Sequence, residues 1–135
     1  MEFSPDGNYL FVGSRNSNRI GCWDVRNTKE EIARYERSGK TQQRLGFCID
    51  RCQQWLVVGG KHGMIGFHDL LGGAKENNSV QFQAHRDSVG GVALHPSEPV
   101  LVSVSGSRRL YLDTEEEPQY DSNPDCSMML WDISC

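Results

Sequence analysis

One unit occurs three times along the 135-residue chain, and this repetition limits the possible folds more than any other feature. Each copy consists of an apolar run, a polar turn and a second apolar run that closes on an aspartate. The first two closing aspartates are 45 residues apart, and the third follows after 63. A chain that repeats at such a period is built from supersecondary units, each of which needs a neighbour to bury its apolar face. The closing dipeptides are Trp23-Asp24, His68-Asp69 and Trp131-Asp132.

The repeated units have the composition of β-strands. Their short apolar runs are rich in β-branched and aromatic residues, which fit the pleated surface of a sheet. A further run precedes each copy, around Phe3, Phe47 and Val92, and supplies an inner strand. A period of about 40–45 residues is typical of a four-stranded propeller blade. The sequence therefore predicts an all-β fold, namely a partial β-propeller of about three blades, each a four-stranded antiparallel sheet.

The outer strand of the first blade is ambiguous in the sequence. Thr28 and Glu31 have the spacing of a helix capping box, which favours a short helix. The same segment occupies the position of the fourth strand in the repeat, and on that ground we expect a strand over residues 32–36. In the second blade the outer strand is predicted over residues 79–83, where Val80 and Phe82 alternate with polar residues.

The third unit is longer than the others, and its excess is acidic. We expect blades over residues 1–38, 39–83 and 84–135, with an acidic insert at 107–126 inside the third. The insert carries six acidic and two basic residues, whereas the rest of the chain carries twelve acidic and twelve basic residues. The formal net charge of −4 therefore belongs to the insert. The blades themselves have no net charge that would oppose a nucleic acid.

The closing Trp-Asp pairs, together with the preceding His85, resemble the WD40 repeat, and the resemblance extends over nearly the whole chain. In that family a His, a Ser or Thr, an Asp and the Trp form a hydrogen-bonded network within a blade. The resemblance implies that His85, Ser103 and Trp131 supply three of these groups. It also implies that the acidic insert interrupts the position of the Asp.

The second blade departs further from the WD40 pattern. The resemblance puts His62 at the position of the network Asp and His68 at the position of the Trp. We therefore expect this blade to depend on apolar packing more than on a buried polar network. The positions to which the resemblance assigns a structural role are Trp23, Asp24, His68, Asp69, His85, Ser103, Trp131 and Asp132.

A narrower resemblance is carried by several segments taken together, in their order and spacing. These segments are residues 3–8, 22–26, 43–44 and 91–99, followed by the acidic insert. The combination is similar to the C-terminal blades of the telomerase Cajal body WD40 protein family. This resemblance implies a non-enzymatic scaffold that binds small nuclear RNA, namely telomerase RNA and small Cajal-body RNA, for assembly and localisation of ribonucleoproteins. It implies a nuclear, Cajal-body location and ribonucleoprotein proteins as partners, while a cytoplasmic location stays open.

The sequence contains no motif for catalysis or for a cofactor. It has no Gly-x-Ser-x-Gly elbow, and the glycines of residues 60–66 lack the spacing of a nucleotide-binding loop. Five cysteines without a CxxC pair favour reduced thiols over a zinc site. No apolar run approaches the ~20 residues of a membrane span. We therefore expect no catalytic residue, cofactor, metal, small-molecule substrate or membrane contact.

Basic residues recur in the turn between the second and third strands of each blade. Such turns share one rim of a propeller, and cations there suit the phosphates of RNA, which dominate its affinity for proteins. Exposed turns also carry Lys or Arg for solvation alone, so the pattern permits both interpretations. The six candidates are Arg15 and Arg19 at the first turn, Lys61 at the second, Arg108 and Arg109 at the third, and Arg44 at the start of an inner strand.

Three blades are too few for a complete propeller, which closes with about four to eight. We therefore expect a fragment of a larger ring of seven blades, the others being absent from this chain. Because repeat units need neighbours, the isolated chain is expected to be unstable or to self-associate through its open blade faces. The alternative to the RNA scaffold is a generic WD40 adaptor for protein–protein interaction without an RNA role.

Overall fold

The computed structural model describes residues 1–41, 43–72, 79–106 and 125–134. Within these residues the chain forms three antiparallel sheets and no helix, and we refer to the sheets as blades 1, 2 and 3. Blade 1 contains β1 (Glu2–Phe3), β2 (Tyr9–Gly13), β3 (Arg19–Asp24) and β4 (Ala33–Glu36). Blade 2 contains β5 (Phe47–Ile49), β6 (Trp55–Gly59), β7 (Met64–Asp69) and β8 (Ser79–Gln83). Blade 3 contains β9 (Val89–Leu94), β10 (Val100–Ser105) and β11 (Met128–Asp132).

Each blade is a meander in which consecutive strands pair with one another. Because antiparallel neighbours reverse direction, the connections alternate between the two ends of the sheet. We call the end with the β2–β3 and β6–β7 turns and the β4–β5 loop the upper rim. The opposite end, with the β1–β2, β3–β4 and β5–β6 turns, is the lower rim. Arg15, Arg19 and Lys61, the described turn cations that the sequence singles out, therefore share the upper rim.

The three blades are equivalent in register. The closing aspartate of each unit lies opposite the first residue of the preceding strand, with Asp24 opposite Tyr9, Asp69 opposite Trp55 and Asp132 opposite Val100. The residue before each aspartate therefore lies opposite a leucine. These cross-strand pairs are Leu10 with Trp23, Leu56 with His68 and Leu101 with Trp131.

Each blade has two apolar faces, because successive side chains of a strand point to opposite sides of its sheet. We call the face toward the following blade the forward face and the face toward the preceding blade the rear face. Phe11 and Ile20 on the forward face of blade 1 pack with Leu56 and Val58 on the rear face of blade 2. This contact forms the first of two apolar cores.

The second core lies between blades 2 and 3. Val57 and Ile65 on the forward face of blade 2 pack in one cluster with Leu101 on the rear face of blade 3. The rings of Phe82 and Trp131 meet edge to face across this boundary, with their centroids 5.0 Å apart. Blade 2 thus contributes to both cores, and both of its faces are covered.

The all-β prediction is confirmed, and so is the strand in the ambiguous segment, which forms β4 rather than a helix. Among the described residues, blade 3 has three strands rather than four. Residues 107–124 of the predicted insert lie outside the described part of the chain, and the division at 1–38, 39–83 and 84–135 stays a prediction. The described segments contain no helix long and apolar enough to cross a membrane.

Candidate functional site

His85, Ser103 and Trp131 form the buried polar network that the WD40 resemblance implies for blade 3. The Ser103 hydroxyl lies 2.7 Å from Nε2 of His85 and accepts a hydrogen bond of 2.8 Å from Nε1 of Trp131. Ser103 is completely buried and His85 nearly so. The network ties the segment before β9 to β10 and β11, and buried polar groups held in this way favour one arrangement of the strands.

Asp125 completes this network, which the sequence analysis did not foresee. Its Oδ2 atom accepts a 2.9 Å hydrogen bond from the backbone N–H of Arg86 and lies 3.5 Å from Nδ1 of His85. The Ser127 hydroxyl donates to Oδ1 at 2.5 Å, and this bond, followed by that of Arg86, lowers the pKa of Asp125. The insert predicted over residues 107–126 therefore interrupts the blade, as expected, but its own residue Asp125 supplies the Asp of the network.

Blade 2 has no counterpart of this network at the equivalent positions. His68 is buried where the other blades have tryptophan, and its Nε2 atom has no hydrogen-bond partner. The ring lies 5.7 Å from that of Tyr35 on blade 1, and burial lowers the pKa of the imidazole. In blade 1 the equivalent Trp23 is half-buried, and no other described blade packs against its face of the sheet. The structure thus places one complete network in blade 3.

The three closing aspartates have a common role in the turns that follow them. Each carboxylate accepts a hydrogen bond from the backbone N–H two residues later, which fixes the chain as it leaves the strand. Arg26 also forms an ion pair with Asp24 at 2.8 Å, and this partner lowers the pKa of Asp24 to about 2. The bonds are Arg26 N to Asp24 at 2.9 Å, Leu71 N to Asp69 at 2.8 Å and Ser134 N to Asp132 at 2.9 Å.

An open cleft of about 790 Å³ lies at the upper rim and is lined by residues of blade 1, of the β4–β5 loop and of blade 3. Three arginines line it: Arg15 from the β2–β3 turn, and Arg37 and Arg44 from the β4–β5 loop. Gly90 and Gly106 of blade 3 complete the wall. The described lining residues include no Asp or Glu, so the cleft is positively charged. We call it the arginine cleft.

Arg37, which the sequence analysis did not select, holds one wall of the arginine cleft. Its guanidinium donates through Nη2 to the carbonyl of Ser14 at 2.9 Å and through Nε to that of Ser17 at 3.3 Å. The Nη1 atom is buried without a hydrogen-bond partner, and burial lowers the pKa of the side chain. Among the described residues, no carboxylate forms an ion pair with it. Arg37 therefore keeps a positive charge beside the turn that carries Arg15.

The remaining basic candidates of the sequence analysis lie outside the arginine cleft or outside the described residues. Arg19 begins β3 and lines a second cleft on the outer side of blade 1, next to Glu36. Lys61 lies in the β6–β7 turn, where its backbone N–H donates to the carbonyl of Ser38 at 2.7 Å. Neither residue lines the arginine cleft. Arg108 and Arg109 lie outside the described residues.

Two buried cysteines of the described chain, Cys22 and Cys48, are held in an unreactive state. Burial, reinforced by nearby carboxylates, raises the pKa of the Cys22 thiol to about 11 and that of Cys48 to about 12. Both cysteines are therefore protonated near neutral pH. Within the described ranges, no three His, Cys, Asp or Glu side chains come close enough together to hold a metal ion.

Comparisons with known proteins agree with this architecture. The family model described as "WD domain, G-beta repeat" matches residues 76–132. Telomerase Cajal body protein 1 of Mesocricetus auratus is 32% identical over 96% of this chain, and that of Bos taurus is also 32% identical over 96%. This chain spans 27% of the length of each of these relatives.

Solved structures show the same fold at lower sequence identity. The crystal structure of the RRP9 WD40 repeats has a TM-score of 0.63 and 22% identity, and the match covers 78% of this chain and 31% of that one. A likeness at this identity concerns the fold alone, and it identifies the three sheets as blades of a partial β-propeller. The chain therefore belongs to the WD40-repeat family and is similar, over most of its length, to telomerase Cajal body proteins.

Proposed function

We propose that this chain is part of a non-enzymatic WD40 scaffold that binds small nuclear RNA, of the telomerase RNA or small Cajal-body RNA type, in ribonucleoprotein assembly and localisation. The observation that carries the proposal is the arginine cleft, in which Arg15, Arg37 and Arg44 line one open surface. The relatives named telomerase Cajal body protein supply the ribonucleoprotein context and support a nuclear location. They give no support to the cytoplasmic alternative.

The chemistry of the cleft suits the RNA backbone better than the bases. Guanidinium groups pair with phosphate oxygens in bidentate geometry, and they stay charged at every physiological pH. The described lining residues include no aromatic side chain on which an unpaired base would stack. Arg15 and Arg44 act as the phosphate contacts, and Arg37 positions the turn of Arg15 through the carbonyls of Ser14 and Ser17.

A salt titration with two matched double variants tests the cleft. Replacing Arg15 and Arg44 by Gln removes two phosphate contacts, which should reduce the slope of log K against log salt by about 1.4 for single-stranded RNA. The control replaces Lys29 and Arg51, two exposed cations of the lower rim, by Gln and changes the net charge equally. The control slope should stay close to that of the wild type. Equal slopes for both double variants would reject the cleft as the RNA site.

Crosslinking in cells, followed by sequencing of the bound RNA, tests the function itself. We expect small nuclear RNAs to be enriched above a tag-only background and to fall in the Arg15→Gln, Arg44→Gln variant. Recovery of no small nuclear RNA above background would remove the RNA proposal and leave the generic protein adaptor as the remaining WD40 function.

A further inference from the structure

The β2–β3 turn separates two clefts at the upper rim. Its first part, residues 13–16, lines the arginine cleft, and its second part, residues 17–19, lines the second cleft of about 600 Å³ on the outer side of blade 1. Arg37 lines both clefts and donates to one carbonyl in each part of the turn, those of Ser14 and Ser17. The turn is therefore a ridge between the clefts, and one guanidinium holds both of its parts.

The hydroxyl of Ser17 on this ridge is held by two long hydrogen bonds. It accepts one from the backbone N–H of Arg19 at 3.3 Å and donates one to the carbonyl of Arg19 at 3.4 Å. Both distances exceed the about 2.5–3.2 Å that is usual for bonds of these types. Both bonds also lie in an exposed position, where water can replace them. The hydroxyl can therefore turn outward at little cost to the fold.

The sequence around Ser17 places a cation on either side of it. Arg15 precedes it by two residues and Arg19 follows it by two, and no other serine or threonine of the chain has arginine at both positions. Protein kinases choose their substrates in part by the charges that flank the acceptor hydroxyl. A serine between two arginines, in a turn at the surface, suits a kinase that selects basic flanks.

We propose that Ser17 is a phosphorylation site and that its phosphate controls the binding of RNA to the arginine cleft. The proposal rests on the proposed function of that cleft. In the modification the Ser17 oxygen forms a bond to the γ-phosphorus of ATP, and the bond from that phosphorus to the β–γ bridging oxygen breaks. ADP leaves, and the hydroxyl proton passes to the catalytic base of the kinase.

A phosphate on Ser17 would compete with RNA for the same arginines. It adds about −1.5 to −2 charges and three acceptor oxygens, which pair well with guanidinium groups. Arg15 and Arg19 flank the site, and Arg37 already donates to the Ser17 carbonyl. Cancelling about two positive charges should reduce the slope of log K against log salt by about 1.4, which corresponds to about tenfold weaker binding of single-stranded RNA at physiological salt.

Phosphorylation in solution tests the site itself. The purified chain is incubated with ATP and a serine/threonine kinase that selects basic flanks, and the modified residue is mapped by mass spectrometry. One phosphoryl group should appear on Ser17. Ser17→Thr keeps a hydroxyl and should still be modified, whereas Ser17→Ala should not. Absence of phosphate from Ser17 in the wild type would overturn the proposal.

Binding of a uridine oligonucleotide tests the control of the cleft. The phosphorylated chain should bind about tenfold more weakly than the unmodified chain, and Ser17→Asp, with one charge, about fourfold more weakly. Ser79→Asp adds the same charge at an exposed serine opposite His68, at the lower-rim end of β8, and should bind like the wild type. Equal weakening by the two Asp variants would mean that net charge, not the position of the phosphate, lowers the affinity, and it would reject the proposal.

The Arg15→Gln, Arg44→Gln variant separates this proposal from the function on which it rests. If that variant binds the oligonucleotide more weakly than the wild type while phosphorylation of Ser17 leaves the affinity unchanged, control by the phosphate is refuted and the RNA site remains. If the variant binds like the wild type, the arginine cleft is not the RNA site, and both proposals fall.

Discussion

Ser103 is the residue on which the polar network of blade 3 converges. Its single hydroxyl lies within hydrogen-bond distance of both His85 and Trp131, and no part of its side chain reaches solvent. Ser103→Ala would leave two ring nitrogens without a partner, which should lower the free energy of unfolding by about 2–3 kcal/mol. Urea unfolding monitored by tryptophan fluorescence measures this loss. Ser79→Ala, the same change on the exposed strand β8, should shift the urea midpoint little. Similar midpoint shifts for both variants would contradict the role of Ser103 in the network.

His68 should make the fold sensitive to mild acid. Burial lowers its pKa in the folded state below the ordinary 6.5, so the unfolded chain binds the proton more tightly. The free energy of unfolding should therefore begin to fall as the pH drops below about 6.5, with a slope of at most about 1.4 kcal/mol per pH unit from this one group.

His68→Phe removes both the titrating group and the unsatisfied Nε2 atom while it keeps a ring beside Tyr35. Urea midpoints between pH 7 and 5.5 should show less acid destabilisation in this variant than in the wild type. His62→Phe, in an exposed turn, serves as the control and should retain the wild-type pH dependence. If His68→Phe retained it as well, the destabilisation would come from another group.

At the scale of elements, the β6–β7 hairpin joins blade 2 to blade 3 through Gly63. This residue has a φ of +76°, and its carbonyl accepts hydrogen bonds from the backbone of Ala84 and His85. A Cβ atom at position 63 would lie 1.8 Å from the carbonyl oxygen of His85, which is backbone and cannot rotate away. The hairpin and the start of blade 3 therefore depend on a missing side chain.

Gly63→Ala should destabilise the chain by more than about 3 kcal/mol, because backbone displacement adds to the cost of the left-handed conformation. Gly7→Ala is a matched control: its φ is +75°, but nothing lies within 4 Å of the new Cβ. It should lose only the conformational contribution of about 1–2 kcal/mol. Equal losses in thermal or urea unfolding would show that the contact with His85 relaxes without cost.

The repeat predicts the strands well because register and burial act on every copy alike. Just before β4 the capping-box pattern of Thr28 and Glu31 favours a helix locally, yet the packing of Tyr35 in the first core favours a strand. The sequence did not distinguish Asp125 from the other acidic residues of the insert. Its spacing was nevertheless informative, because it precedes Trp131 by the same six residues that separate His62 from His68. No sequence pattern indicates Arg37, because its role depends on hydrogen bonds to Ser14 and Ser17 in the β2–β3 turn, about twenty residues earlier in the chain.

At the scale of the whole molecule, charge and apolar surface are distributed very differently. The net charge of −4 belongs to residues 107–126, so the blades are neutral and a local group of arginines decides what the upper rim attracts. The apolar side chains of the described strands gather in two cores, one on each side of blade 2. Among the described residues, the arginine cleft and the two cores have no buried core residue in common apart from Leu45, which belongs to neither core cluster.

Stability should also be unequal along the stack of blades. Strand β6 is paired on both edges, and its side chains Leu56 and Val57 are buried toward blade 1 and blade 3, respectively. Among the described strands, β11 pairs only with β10. Because each repeat is stabilised by its neighbours, β6 opens only when the whole stack unfolds, while β11 opens with the loss of one edge. Hydrogen exchange followed by mass spectrometry, at a protein concentration low enough to suppress association, should show at least about tenfold slower exchange in β6 than in β11. Equal exchange in the two strands would mean that the three blades unfold as one unit.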